Sequence, residues 1–104
     1  MVESGKERAR RSSMDIKDWR KRIDELDEQL VKLLNERSRC AAEAGKLKRQ
    51  AGQAVYQPER EREILERVQR MNGGPLGNDA LKRLFERILD EARAVEQETY
   101  KKKS

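Results

Sequence analysis

The sequence contains no histidine and a single cysteine, Cys40. A Ser-His-Asp triad and a His-ligated metal are thereby excluded, as are an internal disulfide and a cysteine-rich metal site. Aromatic residues make up only 4% of the 104 residues, whereas charged residues make up 43%. A small chain of this kind has little with which to fill a core and buries a low fraction of its surface, so help from a partner chain is expected. No apolar run approaches the roughly 18 residues of a membrane span, and no signal-peptide core is evident. The expected location is the cytoplasm, with no membrane partner. The one glycine-rich stretch, "GGPLG" (73–77), lacks the spacing of a phosphate-binding loop.

The net charge of +5 suggests nucleic acid at first sight, but its distribution argues otherwise. Residues 1–14 carry Lys6, Arg8, Arg10 and Arg11 against Glu3 and Glu7, and Lys101, Lys102 and Lys103 close the chain. Between them, residues 15–100 hold 18 basic and 18 acidic side chains and are neutral. The basic balance comes from two tails, so it is no evidence for a phosphate-binding face, and no nucleic-acid partner is expected. Cys40 falls on an apolar stripe and reads as a small core residue.

Hydrophobic spacing divides the chain into three helices with no β-alternation. Residues 1–14 lack periodicity and read as a disordered lead. The first helix starts near Asp15, a good N-cap with Asp18 in the first turn, and runs to about Gln50 before Gly52. Its stripe is Ile16, Trp19, Ile23, Leu26, Leu30, Leu33, Cys40, Ala44 and Leu47. At 1.5 Å per residue it spans about 54 Å, too long for the rest of one small chain to cover, so a partner helix is the natural cover. Pro58 opens the second helix with Gln57 as N-cap, and its apolar side is Ile64, Leu65, Val68 and Met71. "NGGPLGND" (72–79) is the strongest break in the chain. Asn78 or Asp79 caps the third helix, whose apolar face is Leu81, Leu84, Phe85, Ile88, Ala92 and Val95. It is expected to fade after Tyr100, leaving 101–104 as a basic tail. The predicted fold is all-α, one long helix and two shorter ones, with residues 15–100 as the single folded domain.

Each helix interrupts its apolar face with charge. Arg37 sits where the stripe of the first helix asks for leucine, and Lys48 follows 11 residues later on nearly the same face. Arg60 and Glu61 precede Ile64 and Leu65 by four, and Glu96 follows Ala92 by four. Burying such charges costs several kcal/mol each unless they are paired. A structural network of mutual ion pairs, or side chains snorkelling out at the stripe's end, would satisfy each one singly. Three cations against two carboxylates, however, leave a positive surplus pointing inward, which suits a small anion. With no nucleophile–base pair and no metal set, positioning and electrostatics are the tools available.

The segments "WRKRIDELDEQLVKLLNERSRCAAEAGKLK", "YQPEREREILERV" and "LFERILDEARAVEQE" closely resemble the all-helical class of chorismate mutases over about residues 15–100. The "YQPERE…GGPL" portion looks most like mutase domains fused to the first synthase of the shikimate pathway. The resemblance implies an intertwined homodimer of three-helix chains that rearranges chorismate to prephenate without cofactor or metal. It implies that Arg37 binds a substrate carboxylate and that Arg20 reaches across the interface into the partner's site. Lys48 would donate to the ether oxygen as its C–O bond breaks. Arg60 and Glu61 match an Arg-Glu pair in which the glutamate meets the substrate hydroxyl. Glu96 would be a second donor to the ether oxygen, which requires a protonated carboxyl. The rate is then expected to fall as pH rises through the titration of Glu96. Gln57 stands where some members have Asp near the hydroxyl, and Ala92 where some have Ser beside a carboxylate. Two other functions fit the same pattern: isochorismate pyruvate lyase on the same scaffold, and a non-catalytic helical dimer that docks on a pathway synthase.

Overall fold

The computed structural model describes residues 14–103, with side chains to Thr99. It contains three helices and, among the described residues, no strand: α1 spans Ile16–Gln50, α2 Pro58–Met71 and α3 Asn78–Lys103. The lead predicted over 1–14 lies outside the described residues, Met14 excepted. No helix among the described residues is long and apolar enough to cross a membrane.

The helix boundaries follow local chemistry. At the start of α1, the Asp18 N–H donates to Asp15 Oδ1 at 3.0 Å and the Asp15 N–H donates to Asp18 Oδ2 at 3.3 Å, a reciprocal cap. Gly52, with φ of +70°, turns the chain out of α1 in a conformation glycine adopts without penalty. Gln57 occupies the N-cap of α2 but makes no side-chain cap bond, and Pro58 begins the helix. After α2, the Asn72 side chain ties the connection together. Its amide donates to Leu76 O at 2.8 Å and to Asn78 Oδ1 at 2.7 Å, and its own oxygen accepts from the Gly74 N–H at 3.0 Å. α3 continues to Lys103 rather than stopping near Tyr100.

The chain divides into two compact units, one ending at Asn35 and one beginning at Glu36. In the first, the predicted stripe of α1 is exposed throughout: Ile16 68%, Trp19 54%, Ile23 53%, Leu26 40% and Leu30 54%. In the second, Ile64 and Val68 of α2 and Leu89 of α3 are buried, with Leu65, Leu81 and Phe85 packed around them. α3 thus turns the line Leu81–Phe85–Leu89 inward, a four-residue step. The observed burial differs from the expected faces of α2 and α3 in three places. Leu89 is a core residue that the predicted stripe omits. Leu84 lies about 100° round the helix from Phe85 and is exposed. Met71, the last residue of α2, is exposed as well. Cys40 is also exposed rather than a core residue.

Gly45 is the buried residue of α1. A β-carbon there would stand 3.1 Å from Glu96 Cβ and 3.2 Å from Glu96 Cα. The absence of a side chain is what lets α1 approach the backbone of α3 at this level, and it sets Glu96 beside Lys48.

Candidate active site

The second unit encloses a cavity of about 340 Å³ to which all three helices contribute. That is the size range of small-molecule sites. From α1 come Arg37, Ala41, Ala44 and Lys48, spaced four, three and four residues apart and so on one face. Cys40 joins them. Small side chains between the two cations leave room in the middle of that face. The connection after α1 adds Val55 and Gln57, and α2 adds Arg60, Glu61, Ile64 and Arg67. α3 supplies Leu89, Ala92, Arg93 and Glu96.

Seven of the residues expected from the sequence therefore meet at one cavity: Arg37, Lys48, Gln57, Arg60, Glu61, Ala92 and Glu96. Arg20 belongs to the other unit, where it sits exposed in the first turns of α1 near Ile16 and Asp24.

Lys48 is held by two partners. Its Nζ donates to Glu96 Oε1 at 2.8 Å and to the Val55 carbonyl oxygen at 3.1 Å. An ammonium has three donors, so one N–H remains for the cavity that Lys48 lines. Glu96 is 5% exposed, and burial of this carboxylate is offset by the Lys48 pair. Among the described residues, no buried polar side-chain atom lacks a hydrogen-bond partner.

The other charges differ in how far they are already engaged. Glu61 Oε2 accepts from Arg93 Nε at 2.8 Å, an ion pair between α2 and α3. Arg60 is exposed and pairs with Glu63 on its own helix, so it lies at the rim. Gln57 donates its amide to Gln53 Oε1 and to Ala54 O, each at 3.3 Å, which stiffens the connection and leaves its carbonyl oxygen to accept. Arg37 is half-buried, and its guanidinium makes no hydrogen bond or ion pair among the described residues. The same holds for the exposed guanidinium of Arg67.

Sequence reasoning missed Arg67 and Arg93. Arg67 was within reach of it, because it follows Arg60 by seven residues and Ile64 by three, on the same side of α2. Arg93 follows Leu89 by four, but with Leu89 absent from the expected stripe nothing marked it as inward. With both included, five cations line the cavity against two carboxylates, Glu61 and Glu96, a surplus of three positive charges. Such a site is built to take a small polyanion and to place an ammonium against one of its atoms.

The sequence model described as chorismate mutase type II matches residues 19–97. Among curated relatives, the bifunctional chorismate mutase/prephenate dehydratase of Pseudomonas aeruginosa is 42% identical over 87 residues, covering 79% of this chain and 24% of that protein. The chain spans about a quarter of the length of the bifunctional relatives it matches in this way. Among solved structures, a chorismate mutase from Thermus thermophilus superimposes with a TM-score of 0.78 at 32% identity, over 79% of this chain and 93% of that one. A chorismate mutase from Helicobacter pylori in complex with prephenate gives a TM-score of 0.76 at 27% identity, over 83% and 93%.

Proposed function

The chain belongs to the chorismate mutase type II family, and on that premise we propose that it rearranges chorismate to prephenate at the cavity of the second unit. The observation that carries this reading is Lys48. Its ammonium is fixed by Glu96 and Val55 O with one donor left for the cavity, while Arg37, which makes no ion pair among the described residues, lines the same space.

The reaction is a [3,3] shift within one molecule. The ether C–O bond breaks, a C–C bond forms, and no proton or electron enters or leaves. Catalysis can therefore come wholly from positioning and electrostatics. Chorismate carries two carboxylates, which match a cationic surplus. Arg37 presents a planar fork suited to a carboxylate. Holding the substrate in its compact reactive shape converts a rare conformer into the bound one. As the ether bond lengthens, negative charge grows on its oxygen. An ammonium already held in place stabilises that charge more than it stabilises the ground state.

Glu61 accepts from the substrate hydroxyl through the oxygen that Arg93 does not occupy, and Gln57 offers its carbonyl oxygen nearby. Glu96 orients Lys48 as a carboxylate, and it donates to the ether oxygen only in its protonated form. Ala92 has no hydroxyl to offer a carboxylate, so the guanidinium groups take up that task.

The proposed working form is a homodimer. The exposed stripe from Ile16 to Leu30 supports it, since contiguous apolar faces of this kind mark interaction sites. In that assembly Arg20 of a second copy completes the cavity. The names of the relatives pair a mutase with a prephenate dehydratase, so an enzyme consuming prephenate is one expected partner and a pathway synthase another.

The test is product analysis after mixing the purified chain with chorismate, and separately with isochorismate. Prephenate from the first, with no pyruvate from the second, is the expected outcome. Pyruvate release from isochorismate alone would replace the mutase reading with a lyase.

A further inference from the structure

Arg93 lines the cavity, yet its guanidinium is already engaged on three sides. Nε donates to Glu61 Oε2 at 2.8 Å, and Nη2 pairs with Asp90 on α3. Its central carbon lies 5.1 Å from the centroid of the Tyr56 ring, a cation–π contact. A group committed in this way has little left for a ligand carboxylate. It also links α3, α2 and the connection 51–57, which carries Tyr56 and Gln57. We propose that Arg93 is a positioning residue that acts through Glu61, an assignment that rests on the mutase reading above.

Two effects follow from the geometry. The first is orientation. With Oε2 held by Arg93, the Glu61 carboxylate keeps one rotation, and Oε1 is the oxygen available to a substrate hydroxyl. The second is charge partition. Glu61 shares the cavity with Arg37, Lys48, Arg60 and Arg67. A carboxylate released from Arg93 would turn toward one of these and cancel a cation the substrate needs. Arg93 takes up that negative charge at the α2–α3 junction, where Glu61 is only 21% exposed and screening is weaker than at the rim. Lysine at this position would keep the charge but lose the planar fork and much of the stacking on Tyr56.

The test is a double-mutant cycle on kcat/KM for chorismate, using Arg93→Ala, Glu61→Ala and the pair, with Arg93→Lys as a second variant. Arg93→Ala should lower kcat/KM roughly tenfold to a hundredfold, the scale of a hydrogen bond to a charged group. Arg93→Lys should lose less. In the Glu61→Ala background neither substitution should reduce kcat/KM further, because the group through which Arg93 acts is gone. Full multiplication of the two losses would overturn the proposal and leave Arg93 a structural ion pair. Thermal unfolding of each variant separates a folding defect from a kinetic one, and Arg93→Lys, which keeps the charge, carries the cycle if Arg93→Ala does not fold. If the wild-type chain consumes no chorismate in the same assay, the mutase reading fails and takes this proposal with it. Wild-type turnover with multiplicative losses removes the positioning role alone.

Discussion

Trp19 and Leu89 both lie on helices whose apolar residues recur every three or four positions, yet Trp19 is 54% exposed and Leu89 is 5% exposed. The first belongs to the unit that ends at Asn35, the second to the unit that begins at Glu36. In the second unit, α2 and α3 cover one another, and Gly45 lets α1 close on Glu96. In the first unit, eight large apolar side chains along α1, from Ile16 to Leu34, are open to solvent. The contrast separates two tasks that one periodicity serves. One stretch builds a cavity from a single chain; the other presents a face that, in the proposed dimer, a second copy covers. The unit that covers itself also holds Arg37, while Arg20 stands in the open one.

The comparison breaks most severely if the open face is charged. Leu26→Glu combined with Leu30→Glu would place two carboxylates in the proposed interface, where each unpaired charge costs several kcal/mol. Light scattering should then report a monomer where the wild type gives a dimer, and turnover should be lost because Arg20 no longer reaches a neighbouring cavity. An active wild-type monomer would contradict the proposed pairing.

Within the self-covered unit, Lys48→Ala is expected to reduce kcat/KM by a hundredfold or more, about 3 kcal/mol of transition-state stabilisation. Removing Lys48 leaves the Glu96 carboxylate buried without that partner, so a second variant that also carries Glu96→Gln separates loss of the donor from loss of stability. Steady-state kinetics beside a thermal melt distinguish the two effects.

A smaller loss is expected from Gly45→Ala. The added methyl meets Glu96 Cα and Cβ at 3.1–3.2 Å, and overpacking of this kind costs about 1–3 kcal/mol. Because the strain falls on the residue that holds Lys48, kcat should drop along with the denaturation midpoint. A drop in stability alone would show that the Lys48–Glu96 contact tolerates the shift.

The mildest change is Glu96→Gln. An amide donates at every pH, whereas a carboxyl donates only when protonated. Glu96→Gln therefore keeps a donor toward the ether oxygen while losing the charge that pairs with Lys48, and kcat/KM should fall by less than in Lys48→Ala. A loss as large as that of Lys48→Ala would assign Glu96 to orienting Lys48 as a carboxylate.

Much of this arrangement was legible in the residues. Gly52, Pro58 and the "NGGPLGND" break mark the helix limits because each acts locally on the backbone. Arg37, Lys48 and Glu96 are visible as charges at positions where the spacing asks for apolar side chains. Spacing gives an angle around a helix, not what lies opposite it. For that reason Leu84 and Met71 read as core and are exposed, whereas Leu89 is core and was passed over. Arg93 disappeared with Leu89, the residue one turn before it. Cys40 sits on the right stripe but borders the cavity and is exposed, a distinction that only the placement of α2 and α3 can make.

The central claim is that Arg37 interrupts the stripe of α1 in order to hold a substrate carboxylate. Its most direct test is the loss of chorismate's ultraviolet absorbance on adding the purified chain, beside an Arg37→Ala variant of unchanged melting behaviour. Rapid loss with the wild type and little with the variant is the predicted result. Equal rates for the two, or no loss with the wild type, would contradict it.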